Sequence, residues 1–210
     1  MFPKKIEIVA GVDEVGRGPL AGPVVCAAVV LDSNDPCLGK YRDSKKLSAK
    51  KRLFFYHHLR QHASAYALAY LSAADIDRLN ILQATLQCMK MAVEALAITP
   101  DHVLIDGNRL PTLTMPATAI VGGDDTEPSI AAASIVAKVV RDRLMGMADV
   151  KYRGYGFAQH KGYGTKQHME ALRTLGASPY HRFSFAPVKR VASGIEVGLS
   201  NIVTAIHSIQ

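Results

Sequence analysis

Four acidic residues stand where apolar runs of the chain end, and their type and spacing suit metal chemistry. Asp13 and Glu14 follow the run IEIVAGV, Asp106 follows HVLI, and Asp124 follows ATAIVGG. Sites in α/β sheets are built at strand ends, so we expect these acids to converge. Clustered carboxylate oxygens without a matching histidine or cysteine set favour Mg²⁺ or Mn²⁺ over zinc. Two such ions could hold a nucleophilic water and the leaving oxygen of a phosphodiester.

A single acid at a strand end is more simply a turn former, so the metal interpretation rests on the joint pattern of all four. Glu14 needs its own argument, because consecutive side chains of a strand point to opposite faces. We therefore expect the strand to end or bend between Asp13 and Glu14. The neighbouring glycines Gly11, Gly16 and Gly18 permit such a bend.

The elements that must position these acids are readable from the hydrophobic pattern. Strands are predicted over IEIVAGV, PVVCAAVVL, AYALAYLS, HVLID and ATAIVGG. Helices are predicted after Ser48, after Ser72, over SIAAASIVAKVVRDRLMGMA, and from Thr165 to Gly176. The helix after Ser72 carries the clearest apolar stripe, from Leu79 to Leu96. Early strands followed by helix and strand alternation predict an α/β domain with a mixed central sheet flanked by helices.

Length and composition predict one globular domain. We assign residues 1–190 to it, with a helical C-terminal portion, and leave the tail 191–210 without a role. Lys and Arg outnumber Asp and Glu by 25 to 18, which suits a polyanionic partner. The cysteines Cys26, Cys37 and Cys88 lack disulfide spacing, and no apolar stretch reaches membrane-spanning length. We expect a cytoplasmic protein that is not bound to a membrane.

Six segments, taken in order, resemble the bacterial type 2 ribonuclease H enzymes, usually called ribonuclease HII. They are GVDEVGRGPLAGPVVCAAVVL, RDSKKLS, IDGN, GGDDTEPSIAAASIVAKVVRD, YGFAQHKGYGT and HRFSFAPV, between about residue 7 and residue 188. The resemblance implies an RNase H-like fold. It also implies a metal-dependent endonuclease that hydrolyses the RNA strand of RNA–DNA hybrids and nicks on the 5′ side of ribonucleotides embedded in duplex DNA, leaving 5′-phosphate and 3′-hydroxyl ends.

The family's catalytic residues are carried over by the same segments. Its four acids fall on Asp13, Glu14, Asp106 and Asp124, which are expected to bind Mg²⁺ or Mn²⁺ in a two-ion arrangement. The expected partners are RNA–DNA hybrids and ribonucleotide-containing duplex DNA, and the protein is expected to be monomeric.

Five further residues are expected to bind substrate. The family's glycine–arginine–glycine element falls on Gly16, Arg17 and Gly18, and its motif tyrosine on Tyr163. The glycines let the backbone approach a ribose, and Arg17 offers a bidentate fork to a phosphate. Tyr163 would test the sugar at the RNA–DNA junction, where the 2′-hydroxyl distinguishes RNA. Lys45 is assigned a phosphate contact, although most lysines of the run DSKKLSAKKR fit a solvated helix face.

Two other functions are weighed against this one. A noncatalytic hybrid-binding protein could use the same basic surface, and would tolerate amide replacements of all four acids. The related type 3 ribonucleases H carry a glutamate at the last acidic position, where this chain has Asp124.

His160, His168 and His181 lack zinc spacing, and the segment HRFSFAPV is interpreted as structural support.

Overall fold

A computed structural model describes residues 8–194 of the chain, which form a five-stranded mixed sheet and a set of helices. The strands are β1 Val9–Val15, β2 Val24–Val30, β3 Ala65–Leu71, β4 His102–Asp106 and β5 Ala117–Ile120. Their order is β3-β2-β1-β4-β5. β2 pairs antiparallel with β1 and with β3, whereas β4 is parallel to β1 and β5 is parallel to β4. β2 is buried at every residue, as its unbroken apolar run predicts.

Helices alternate with the strands along the chain and dominate the C-terminal portion, so the predicted fold class is confirmed. They are α1 Ala49–His62, α2 Ala73–Leu79, α3 Ile81–Glu94, α4 Gly123–Thr126, α5 Pro128–Lys151, α6 Phe157–His160 and α7 Lys166–Leu175. The predicted caps are present, because the side chains of Ser48 and Thr165 accept the backbone N–H groups of Lys51 and His168. Residues 186–194 are also helical, and the rest of the predicted tail, 195–210, lies outside the described residues.

The single helix expected after Ser72 is two helices. Ser72 and Asp75 form the capping box that opens α2, but Asn80 adopts a positive φ of 69° and α3 begins at the next residue. Asparagine tolerates this backbone region better than other non-glycine residues, so the break falls there without interrupting the apolar stripe. Leu96, counted in that stripe, lies beyond the end of α3.

The described chain divides into two compact units. Unit 1 comprises residues 8–17, 24–71 and 81–141, and unit 2 comprises residues 18–23, 72–80 and 142–194. Unit 1 holds the whole sheet, with part of its core formed by Ala10, Val30 and Ala65. Unit 2 has its own apolar clusters, one of which includes Met145 and Phe157.

One glycine of unit 1 sets how closely α5 approaches the sheet. A Cβ atom at Gly11 of β1 would lie 2.1 Å from the carbonyl carbon of Ser129. Only a glycine therefore permits this contact between strand and helix. Over residues 8–194, no helix is both long and apolar enough to cross a membrane.

Candidate active site

Three of the four acids meet at one end of the paired strands β1 and β4 in unit 1. Val12 of β1 is in register with Ile105 of β4, and Asp13 and Asp106 are the next residues along these two parallel strands. Asp13, Glu14 and Asp106 each offer a carboxylate oxygen, and these oxygens all lie within 4.8 Å of one another. The convergence arises because parallel neighbours present equivalent ends at the same sheet edge.

The strand does not end or bend between Asp13 and Glu14, so that expectation is wrong. β1 continues to Val15, and Asp13 and Glu14 pair in sequence with Ala27 and Cys26 of β2. Instead, the Asp13 carboxylate turns along its own strand, where its Oδ1 accepts the Glu14 backbone N–H at 2.7 Å. This local hydrogen bond brings the two acids together although their side chains start on opposite faces.

Asp124 is positioned by a short helix and not by a strand end. β5 finishes at Ile120, and Asp124 lies in α4 after Gly122, whose φ of 69° favours glycine. Asp124 lies outside the group of three acids, but its pKa is raised, first by burial and next by the charge of Asp106. Its Oδ2 lies 3.9 Å from the Nζ of Lys45.

The charged forms of these carboxylates are disfavoured where they stand. Asp13 is only 4% exposed, and burial, followed by the charges of Glu14 and Asp106, raises its pKa well above the ordinary value. Burial also raises the pKa of Glu14 to about 7, although Arg17 acts in the opposite direction. Like charges in a desolvated site favour a bound cation.

A divalent metal fits this donor set. Among the described residues, Oδ1 of Asp106 is the buried side-chain oxygen or nitrogen atom left without a hydrogen-bond partner. A small cavity of ≈ 40 Å³ is lined by Glu14, Arg17 and Asp106 together with Asn108. An unsatisfied buried carboxylate oxygen costs free energy unless something positive or a donor occupies the space beside it. Oxygen-only ligands match Mg²⁺ and Mn²⁺.

Two buried serines support Asp13, and the sequence analysis did not single them out. Ser134 of α5 hydrogen-bonds the Asp13 carboxylate, and its hydroxyl lies 2.8 Å from that of Ser44. Ser44 lies in RDSKKLS and Ser134 in AAASIVAK, and both segments belong to the resemblance to the type 2 ribonucleases H. That position was the one sequence feature that could have identified them. They tie the position of Asp13 to two other elements of unit 1.

The two cationic residues that were predicted to bind phosphate lie in unit 1 and have exposed side chains near the acids. Arg17 has a half-exposed side chain, and its Nη1 lies 3.7 Å from Oε1 of Glu14. The Lys45 side chain is 77% exposed. Gly16, between Glu14 and Arg17, has a φ of 105°, a conformation that side-chain-bearing residues rarely adopt.

Gly18 and Tyr163 are neighbours in unit 2. A Cβ atom built on Gly18 would lie 3.7 Å from Cε1 of the Tyr163 ring, so the bare glycine leaves space for about one methyl group beside the ring. The Tyr163 side chain remains 43% exposed. An aromatic face beside a bare backbone is a suitable surface for a sugar.

A second group with metal-ligand chemistry, Asp35, Cys37 and His58, was also missed by the sequence analysis. Its carboxylate is already satisfied. Asp35 Oδ1 lies 2.8 Å from the Cys37 backbone N–H nitrogen and 2.7 Å from His58 Nε2, and Oδ2 accepts the Tyr41 hydroxyl at 2.5 Å. These contacts close the loop between β2 and α1, and we interpret the group as structural.

Known proteins resemble this chain over most of its length. The family model described as Ribonuclease HII matches residues 10–188. Ribonuclease H2 from Pyrococcus horikoshii OT3 is 25% identical with a TM-score of 0.77, covering 90% of this chain and 98% of that one. RNase HII from Archaeoglobus fulgidus, solved in a complex with PCNA, is 24% identical with a TM-score of 0.70, covering 85% and 95%. Bst-RNase HIII in complex with Mn²⁺ is 20% identical with a TM-score of 0.68, covering 89% and 70%.

The two less similar structures show the shared fold. The family model spans most of the chain, including all four acids, residues 16–18 and Tyr163. The chain therefore belongs to the ribonuclease HII family and is a ribonuclease H, an endonuclease that hydrolyses RNA in RNA–DNA hybrids.

Proposed function

We propose that this ribonuclease H also nicks duplex DNA on the 5′ side of a single embedded ribonucleotide. Two observations together carry the proposal. Asp13, Glu14 and Asp106 converge, and Oδ1 of Asp106 is buried without a hydrogen-bond partner. Water adds to the phosphorus and the bond to the upstream O3′ breaks. The upstream strand then ends in a 3′-hydroxyl, and the ribonucleotide keeps a 5′-phosphate.

Asp13, Glu14, Asp106 and Asp124 are the residues proposed to hold Mg²⁺ or Mn²⁺. When bound, such ions polarise phosphoryl oxygens and lower the pKa of water, which is the chemistry that phosphodiester hydrolysis needs. The carboxylates supply the negative charge that retains the ions. Ser134 and the Glu14 backbone N–H keep the Asp13 carboxylate oriented before substrate arrives.

The substrate-binding roles divide by chemistry. Arg17 is proposed to hold a backbone phosphate, since its guanidinium is half exposed and planar. Lys45 is proposed as a second phosphate contact because its exposed ammonium lies beside Asp124. Gly16 and Gly18 are proposed to present their backbone to the ribose, and Tyr163 to pack its ring against the neighbouring sugar.

The experiment uses a labelled duplex with one ribonucleotide, beside an all-DNA duplex, in Mg²⁺, in Mn²⁺ and in EDTA. We expect one metal-dependent nick 5′ of the ribonucleotide, with a 3′ end that a polymerase extends and a 5′ end that a ligase accepts. Asp13→Asn should abolish the nick while duplex binding persists. Cleavage of hybrids without any nick in this duplex would overturn the proposal, and normal cleavage by Asp13→Asn would overturn the assignment of that residue.

Lys45→Ala tests the phosphate contact separately. Binding should weaken for all duplexes alike, and the slope of log affinity against log salt should fall by about one. Lys50→Ala, in the same basic run, is the matched control. An unchanged salt slope for Lys45→Ala would refute the contact.

A further inference from the structure

Three histidines of unit 2 form a buried cluster next to the segment that carries Tyr163. His160, His168 and His181 are at most 8% exposed, and the ring centroids of His160 and His168 are 4.4 Å apart with an interplanar angle of 14°. None of them has metal-ligand geometry in the described part of the chain. Their ring nitrogens are used in hydrogen bonds instead.

The hydrogen bonds of two of these rings fix where each carries its proton. The Ser178 backbone N–H donates to Nδ1 of His181 at 3.0 Å, so the His181 proton is on Nε2. Nε2 of His181 lies 3.1 Å from Nε2 of His168, which must therefore accept. Nδ1 of His168 then donates to the Tyr163 carbonyl oxygen at 2.9 Å, an oxygen that also accepts the Thr165 N–H.

The hydrogen bonds described above belong to the neutral forms of both rings. A further proton on His168 Nε2 would face the His181 N–H, and one on His181 Nδ1 would meet the Ser178 N–H, beside the Ser178 hydroxyl oxygen 2.9 Å away. The surroundings act in the same direction. Burial lowers the pKa of both imidazoles, with His181 at about 4. The chain from Ser178 to the Tyr163 carbonyl is therefore a relay with one defined direction.

Other contacts hold the peptide before Tyr163. The Gly162 N–H donates to Nδ1 of His160 at 3.2 Å, and the Gly162 carbonyl accepts the Leu20 N–H at 2.8 Å. Together with the His168 bond, these contacts fix the backbone on both sides of a residue whose ring is 43% exposed.

We propose that His168 and His181 are positioning residues that fix the backbone of Tyr163 and thereby the angle at which its ring meets the substrate sugar. The proposal rests on the substrate-binding role of Tyr163 given above. It assigns the HRFSFAPV segment a part in recognition, because His181 anchors the relay. A ring displaced by about 1 Å would lose much of its effect on rate.

Two amide replacements of His168 separate positioning from packing. In His168→Asn the amide nitrogen lies near the position of Nδ1 and can still donate to the Tyr163 carbonyl. In His168→Gln the amide lies near the position of Nε2 and faces His181 instead. We expect His168→Asn to keep kcat/KM on the single-ribonucleotide duplex within about threefold of wild type, and His168→Gln to lose about tenfold or more.

Tyr163→Ala completes a double-mutant cycle, with thermal unfolding recorded for every variant. If His168 acts through Tyr163, adding His168→Gln to Tyr163→Ala should cause no further loss. Equal losses in both backgrounds, or equal activity of the Asn and Gln variants, would overturn the relay while leaving the role of Tyr163 intact. Wild-type cleavage by Tyr163→Ala would overturn both the relay and the substrate-binding role of Tyr163. Gln167→Leu, an exposed neighbour on α7, is the control for changes to that helix.

Discussion

Replacement of Glu14 by Gln should stabilise the metal-free protein, and the gain should depend on pH. Burial raises the pKa of Glu14 to about 7 in the folded protein, against an ordinary value of 4.5. The folded state therefore binds the proton more tightly than the unfolded state. The free energy of unfolding is then highest below pH 4.5, falls as the pH rises to about 7, and changes little above that.

The size of the effect follows from that interval. One pH unit corresponds to about 1.4 kcal/mol, so ionised Glu14 lowers the free energy of unfolding by about 3 kcal/mol at pH 8. The Glu14 side chain is only 15% exposed, so solvent screening reduces this value little. For a chain of this length the gain in Glu14→Gln corresponds to a rise in Tm of about 6–12 °C.

The assay is urea unfolding in EDTA between pH 4.5 and pH 8. The difference between Glu14→Gln and wild type should be near zero at the acid end and largest at pH 8. Glu94→Gln, an exposed acid at the end of α3, should show no such trend. Addition of Mg²⁺ or Mn²⁺ at pH 8 should stabilise the wild type more than Glu14→Gln. A variant no more stable than wild type at pH 8, or a difference independent of pH, would refute the reasoning.

Four other outcomes are expected from the same structure. Gly16→Ala should lose about 1–2 kcal/mol of unfolding free energy because of its positive φ, whereas Gly18→Ala should fold normally but cleave a ribonucleotide-containing duplex about tenfold more slowly. Gly11→Ala should lose at least about 3 kcal/mol in urea unfolding, because its methyl group would overlap the backbone of Ser129. The pKa of His181 is lowered to about 4, so the contribution of this residue to stability should be complete above pH 6.5 and should fall by up to about 3 kcal/mol between pH 6.5 and pH 4; His181→Asn should lack this loss.

Much of the fold was predictable because its signals are local. The buried strand β2 has an unbroken apolar run, and the capping residues Ser48, Ser72 and Thr165 precede the helices they open. The break between α2 and α3 was not predictable, because the apolar stripe continues through Asn80 and only the backbone angle there separates the helices. The short helix α4 was also not predictable, because the sequence GGDD is equally typical of a loop.

By itself, the sequence determined which residues have the chemistry for metal and phosphate, and in which order they occur. Residue type and motif spacing are properties of the chain, and they were sufficient to predict the family. Only the tertiary structure decided that Asp13, Glu14 and Asp106 meet, that Asp106 keeps an unpartnered oxygen, and that His168 and His181 form one hydrogen-bond chain. Each of these features depends on burial and on distances between residues far apart in the chain, and packing alone determines those.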